Sequence, residues 1–333
     1  MIDEFAARHD LPAFRRRQFE EAFYRKFVLS IQELSVWSKE LREAFEKEET
    51  WSSLSVVRES TSPESDTVKT LFKLHDDVTI ETVLMKHRDG RNTVCVSCQS
   101  GCPVGCAFCA TGKLGLRRNL TANEIVDQVL HFARILKKDN WEVSNVVYMG
   151  MGEPMLNLDA VMESIHILTD PKYMGMGDRR ITVSSSGYVP QLKKFIDSGY
   201  KGKLAISLHA SNQGVREKIM PIAKVFPFDD VIAIGDYYIE KVGRRLSYEY
   251  ILIKGINDQQ QQAGELAKVL QGKLVHVNLI PNNPVLGTGF EKPTPEAMQL
   301  FSDILTRKGI ANTLRVTMGD AIKAACGQLD GKE

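Results

Sequence analysis

The chain has 333 residues, 43 Lys and Arg against 42 Asp and Glu, and a net charge of +1. That balance excludes nucleic-acid binding driven by bulk charge, and a 43% hydrophobic content can fill a sizeable core. Met1 to Asp10 lack the apolar run of an export signal, and no run of about eighteen apolar residues occurs, so a cytoplasmic protein with no membrane partner is expected.

In chain order, the first fifty residues read as helices, with Phe19, Phe23 and Phe27 at helical spacing. Residues 1–50 are expected to form a small helical domain, and 51–94 a linker with short strands. Ser52 to Thr67, rich in Ser, Thr and Glu, reads as a loop, followed by strands at Val68–Leu74, Thr79–Met85 and Thr93–Ser97. Beyond them, Thr121 and Glu124 make a capping box for a helix whose buried face is Ile125, Val129, Phe132, Ala133 and Leu136. Strands are predicted at Val143–Met149, Arg180–Ser184, Lys203–Leu208, Leu246–Ile253, Leu274–Ile280 and Thr313–Thr317, with helical patterns between them. Thr294 and Pro295 start the last long helix, and Gly309 stops it. Repeated strand–helix units predict an α/β fold with a parallel sheet, either an open doubly wound sheet or a full or partial barrel. In both, the loops at the carboxyl ends of the strands form the active face.

The six cysteines are distributed unevenly, five between Cys95 and Cys109 and one at Cys326. Without an export signal this favours metal or redox chemistry over a disulfide scaffold. Cys102, Cys106 and Cys109 are spaced by three and two residues on a glycine-containing loop after a strand. Three thiolates on a four-iron cluster leave one iron open to an outside ligand. The bland alternative is structural zinc completed by Cys95 or Cys98.

The aromatic Phe108 before the third cysteine of this spacing resembles the radical S-adenosylmethionine (SAM) motif. Further stretches, Cys95–Cys102, Val147–Asn157, Ser207–Ala210, Asn278–Pro284 and Ala324–Leu329, resemble the RlmN/Cfr adenine methyltransferases in the right order. The resemblance runs from about Leu11 to Leu329. It implies a partial TIM-like (β/α)6 radical SAM barrel over residues 95–333, including a segment that carries the catalytic cysteine, with the helical accessory domain engaging RNA. The implied cofactors are a [4Fe-4S] cluster on Cys102, Cys106 and Cys109, and SAM bound by Gly152, Glu153, Ser184, Ser207, Leu208, His209 and Asn283. The implied catalytic residues are Cys326, which carries a methyl group, Cys95, which attacks its sulfur and forms a disulfide with it, and Glu81, the proton acceptor. Taken one at a time, Ser184, Ser207, His209 and Asn283 also fit ordinary capping and core hydrogen bonding, and Glu81 a solvated strand position.

The implied activity is formation of 2-methyladenosine in 23S rRNA and in tRNA, with electrons from a flavodoxin- or ferredoxin-type donor. The run Gly152-Glu153-Pro-Met-Leu-Asn157 looks more like RlmN, whereas Ala110–Leu116 looks somewhat like Cfr, which methylates adenine C8. Readings from other classes are a non-catalytic zinc-stabilised RNA-binding protein and a radical SAM enzyme acting on a small molecule. Arg15–Arg17, Lys113 with Arg117 and Arg118, and Arg179–Arg180 are candidate phosphate contacts, each also readable as a solvated face. Cys98, Ala223, Met318 and Lys323 depart from the family pattern. The sequence runs only to Glu333 after Cys326, so no basic tail is expected to add phosphate contacts.

Overall fold

The computed structural model describes residues 2–332. Its first helices, Ile2–Arg8, Ala13–Tyr24 and Lys39–Glu48, surround buried Phe5, Phe19, Phe23, Trp37 and Phe45. These rings meet at 5.0 to 6.2 Å, among them Phe5 edge-on to Phe45 and Phe19 stacked with Phe23, which gives a small segment a dense apolar centre. Phe27 departs from the expected spacing. It lies beyond the end of its helix with φ +49°, half-buried against the core. The segment meets the helix Ala122–Lys137 where Arg134 lies over the Phe23 ring at 5.1 Å, and just beyond the segment Ser53 donates its amide and hydroxyl to Asp127 of that helix, each at 2.7 Å. Buried Glu20 pairs with Lys172 at 2.8 Å.

Three antiparallel strands lead into the core: β1 (Ser55–Thr61), β2 (Thr67–Lys73) and β3 (Thr79–Lys86), followed by β4 (Asn92–Cys95). The expected loop at 52–67 thus contains a strand. β1 is almost wholly exposed, and an edge strand pairs on one side only, so its Ser, Thr and Glu content carries no burial signal. A second missed element is the hairpin of β5 (Gln99–Cys102) and β6 (Gly115–Asn119), with four paired positions and a register shift at Ser100/Gly101 that masks any alternation.

From β4 the sheet is parallel, through β7 (Asn145–Tyr148), β8 (Ile181–Ser185), β9 (Lys203–Ser207), β10 (Leu246–Leu252), β11 (Val275–Pro281) and β12 (Asn312–Leu314). Helices Ala122–Lys137, Leu158–Thr169, Val189–Asp197, Phe228–Val242, Gln260–Leu270 and Pro295–Arg307 fill the connections. Six strand–helix units followed by β12, with no pairing between the first and last strands among the described residues, make the expected partial (β/α)6 barrel. The Thr121/Glu124 capping box and the Thr294 cap both form. β12 is shorter than the predicted 313–317, because after Arg315 bonds the Leu279 carbonyl at 2.8 Å the chain leaves the sheet toward a turn at Gly319, φ +73°.

Cross-strand register aligns Ser207, Glu249 and Asn278 on β9, β10 and β11. Asn278 Nδ2 donates to Glu249 Oε1 at 2.7 Å. Three polar residues in register thus run from the end of β9 into the middle of β10 and β11.

Candidate active site

β5 delivers Cys102, and the turn after it delivers Cys106 and Cys109 just before the helix Ala110–Lys113. The turn is closed by Cys109 N–H to the Cys106 carbonyl at 3.1 Å and tied to the barrel by Ala107 N–H to Ile219 O at 2.9 Å. Val104 and Phe108 anchor it in an apolar cluster with Ile219, Met220, Ile251 and Ile253. The three thiols are half-buried. Burial pushes the Cys102 thiol up to about 12, and burial with the neighbouring thiols raises the Cys106 thiol well above its ordinary value. A positively charged metal centre reverses that penalty, because thiolates are the ligating form. Phe108 stands edge-on to His209, with centroids 5.0 Å apart and planes at 88°, so the motif's aromatic residue rests on another residue of the site.

Gly152 and Glu153 follow β7. Gly152 has φ +103°, and a Cβ there would meet the Gln99 side chain at 2.5 Å, so only glycine fits. Glu153 is buried, with Oε1 accepting Met155 N–H at 3.1 Å and Oε2 accepting Ser186 N–H at 2.7 Å. Burial raises its carboxyl and these bonds oppose the rise. Ser184 lies within β8, Ser207 ends β9, and Leu208 is fully buried with its N–H on the Glu249 carbonyl at 3.0 Å. His209 takes φ +57°, and its Nδ1 accepts Ile251 N–H at 3.0 Å. Burial holds this imidazole down at about 3, so it is neutral with its proton on Nε2. Ser186 Oγ and Glu249 Oε2 are buried without a hydrogen-bond partner in the protein, which leaves both free to meet a polar ligand.

Cys95 ends β4 and is half-buried, its thiol pushed up to about 12 by burial and by the neighbouring Cys326. Cys326 is exposed, yet enough protein surrounds it that desolvation raises its thiol, while Arg315 opposes the rise. Cys326 also feels Cys109, so the structure brings the cluster loop, Cys326 and Cys95 into one electrostatic neighbourhood. Asn283 Nδ2 donates to the Cys326 carbonyl at 3.1 Å. Glu81, in contrast, is fully buried, paired with Lys69 at 2.7 Å and capped by the amides of Asp330 and Gly331 at 2.8 and 3.0 Å.

One participant, Arg216, escaped the sequence reading, and other residues that it named take different roles. Arg216, fully buried, donates to the carbonyls of Ser186 at 2.6 Å and Leu208 at 3.3 Å, tying two site loops together. In sequence it is one more charged helix residue. Burial lowers its guanidinium to about 10. Cys98 lies in the core, its amide on the Met151 carbonyl at 2.9 Å. Arg118 is clamped between Asp76 at 2.6 Å and Glu124 at 2.8 Å, so this member of a basic cluster is structural. Arg15 and Arg16 are engaged by the Val36 carbonyl and Asp3, whereas Arg17 and Arg117 are exposed.

Residues 96–267 match the radical SAM superfamily. The chain is 43% identical over 318 residues to a probable dual-specificity RNA methyltransferase RlmN of Dictyoglomus turgidum, covering 96% of this chain and 90% of that one. The chain belongs to the RlmN family of radical SAM RNA methyltransferases. It is also 41% identical over 323 residues to the ribosomal RNA large subunit methyltransferase N of Nitrosopumilus maritimus, covering 95% of this chain and 92% of that one. The crystal structure of a radical SAM methyltransferase from Sphaerobacter thermophilus matches 99% of this chain and 97% of its own with a TM-score of 0.96 and 43% identity.

Radical SAM membership brings a [4Fe-4S] cluster and SAM as cofactors, and the residues present fit both. Three soft thiol donors on one turn suit iron–sulfur ligation, and the Gly152 approach beside the orphaned Ser186 hydroxyl suits a polar cofactor. Among the described residues no three His, Cys, Asp or Glu side chains are gathered around a single metal ion. No helix among the described residues is long and apolar enough to cross a membrane.

Proposed function

We propose that this chain methylates C2 of an adenosine in 23S rRNA, and in tRNA as well, after first carrying the methyl group on Cys326. The observation that carries the reading is the placement of Cys326, exposed and next to Gly327, whose carbonyl accepts the N–H of Ala110 beside Cys109 at 2.7 Å, with Cys95 as a further neighbouring thiol. The relatives' names, dual-specificity RNA methyltransferase and ribosomal RNA large subunit methyltransferase, support the choice of RNA.

Adenine C2 lies between two ring nitrogens and is too electron-poor to attack a sulfonium methyl directly. When bound, the reduced cluster and SAM supply a 5'-deoxyadenosyl radical, which takes hydrogen from a methyl group that polar chemistry leaves inert. The chain's residues do the rest. Cys326 loses its thiol proton and attacks the methyl carbon of a SAM molecule; a sulfur–carbon bond forms on Cys326 as the methyl–sulfonium bond breaks and S-adenosylhomocysteine leaves. Once that carbon has joined C2, Glu81 takes the C2 proton, and the one electron the ring must lose to regain aromaticity would return to the oxidised cluster that Cys102, Cys106 and Cys109 would hold. Cys95 then attacks the Cys326 sulfur. The sulfur–carbon bond breaks, a Cys95–Cys326 disulfide forms, and the released carbon takes a proton to become the methyl group.

Residues 1–50 form the RNA-engaging unit in this reading, 51–94 lead into the core, and 95–333 make the barrel and Cys326 segment. Exposed Arg17, Arg117, Arg179 and Arg180 are available for phosphates. A flavodoxin- or ferredoxin-type donor supplies the electron in the cytoplasm. The C8 alternative rests on Ala110–Leu116, and nucleoside chromatography with mass detection separates the two products. Accumulation of 2-methyladenosine in RNA from cells that otherwise lack it supports the reading, while 8-methyladenosine or unmodified adenosine overturns it.

A further inference from the structure

Lys69 and Glu81 are diagonal neighbours on one face of β2 and β3, and both are buried. Their ion pair of 2.7 Å is shielded from water, so it holds its geometry far better than a surface pair. It also lies between the two limbs of the loop that carries Cys326. Lys69 Nζ donates to the carbonyl of Lys323, on the limb before Cys326, at 3.2 Å. Glu81 Oε2 accepts the amides of Asp330 and Gly331, on the limb after it, at 2.8 and 3.0 Å. Thr79, two residues before Glu81, donates Oγ1 to the Gly331 carbonyl at 2.6 Å. The first limb is under conformational load where Lys69 grips it, because Lys323 is a non-glycine residue at φ +53° and needs outside contacts to stay there.

We propose that Lys69 is a positioning residue which clamps the first limb of the Cys326 loop directly and the second through Glu81, and that Glu81 becomes available to the target base only when residues 329–332 lift away. The second clause rests on the proton-acceptor role given to Glu81 above; the first does not. A fully buried carboxylate whose oxygens face an ammonium and two amides has no path to a base carbon. One residue therefore serves two exclusive purposes, holding the loop in the closed state and taking the proton in the open one. The clamp keeps the carrier cysteine in place without RNA, and lifting the tail couples base entry to release of the acceptor.

The test compares wild type, Lys69→Met, Lys69→Arg and Thr79→Val as full-length, cluster-containing proteins without RNA. Two readouts are used: the rate of iodoacetamide labelling at Cys326, resolved by peptide mass, and amide exchange over 319–332. Lys69→Met should raise both by about tenfold, with Lys69→Arg restoring them, because one charge-assisted bond to the first limb and the partner of the second limb's acceptor are lost together. Thr79→Val should speed exchange in the second limb alone. With RNA and SAM, Lys69→Met should also make less methylated adenosine per 5'-deoxyadenosine released, which a fold-only defect would not change. Wild-type labelling and exchange in a Lys69→Met protein that keeps its cluster absorbance overturn the clamp. A loosened loop with an unchanged product ratio overturns only the coupling to the base, and intact RNA in every variant and wild type points instead at the RNA reading.

Discussion

Asn283 donates a hydrogen bond from its side-chain amide to the main-chain carbonyl of Cys326, 3.1 Å away. A residue assigned by family resemblance to SAM thus also holds the proposed methyl carrier, linking the end of β11 to the C-terminal segment. Asn283→Ala removes that link, and methyl loading of Cys326, measured as labelled methyl on its tryptic peptide, should fall by about tenfold. Wild-type loading in a folded variant would show that the bond contributes nothing to the transfer.

The two-thiol scheme predicts opposite phenotypes for its members. Cys326→Ala removes the carrier and should abolish methylated adenosine. Cys95→Ala leaves the carbon attached and should accumulate protein covalently joined to RNA, visible as a slow-migrating, nuclease-sensitive band. Full turnover in either variant contradicts the scheme.

Gly152 combines φ +103° with a Cβ position 2.5 Å from Gln99, whose Oε1 accepts the Glu153 amide at 2.8 Å. Gly152→Ala should cost about 1–3 kcal/mol in urea unfolding and raise the KM for SAM, since relieving the clash moves Gln99 and then Glu153. Unchanged stability and KM would mean that the loop relaxes without moving either residue.

Burial keeps the folded His209 imidazole at about 3, far below the unfolded value of about 6.5. Below pH 6.5 the unfolded chain takes up a proton that the folded chain refuses. The residue's contribution is therefore complete above about 6.5 and is lost as pH falls toward 3, by about 1.4 kcal/mol per unit. His209→Gln keeps an acceptor for Ile251 and removes this titration. Between pH 7 and pH 5, wild type should lose about 2 kcal/mol more unfolding free energy than the variant; equal losses contradict the assignment.

Cys98, buried in the core with its amide on the Met151 carbonyl, is expected to pack and not to ligate. Cys98→Ala should cost about 1 kcal/mol and leave iron and sulfide per chain unchanged, whereas Cys106→Ala should lose the cluster. Iron loss in Cys98→Ala would make Cys98 part of the metal site.

The strands of the barrel were legible because burial leaves apolar runs such as Val146 to Tyr148 and Leu204 to Ile206 bounded by polar turns. The cysteine spacing was legible because its ligands lie on one short turn. What sequence hid depends on contacts between distant segments. Arg216 looks solvated until the Ser186 and Leu208 carbonyls close on it, and Lys69 looks like a strand's outward lysine until residues 323 and 330–331 return. β1 stayed hidden because an exposed edge leaves no alternation to read.

The most direct test is a reaction of reduced, cluster-loaded protein with SAM and adenosine-containing rRNA and tRNA fragments, followed by mass spectrometry of the RNA nucleosides and of free 5'-deoxyadenosine. The account predicts 2-methyladenosine together with 5'-deoxyadenosine, the methylated nucleoside vanishing when Cys326 is replaced. Adenosine left unmodified in every RNA, or a methylated product that persists without Cys326, would contradict it.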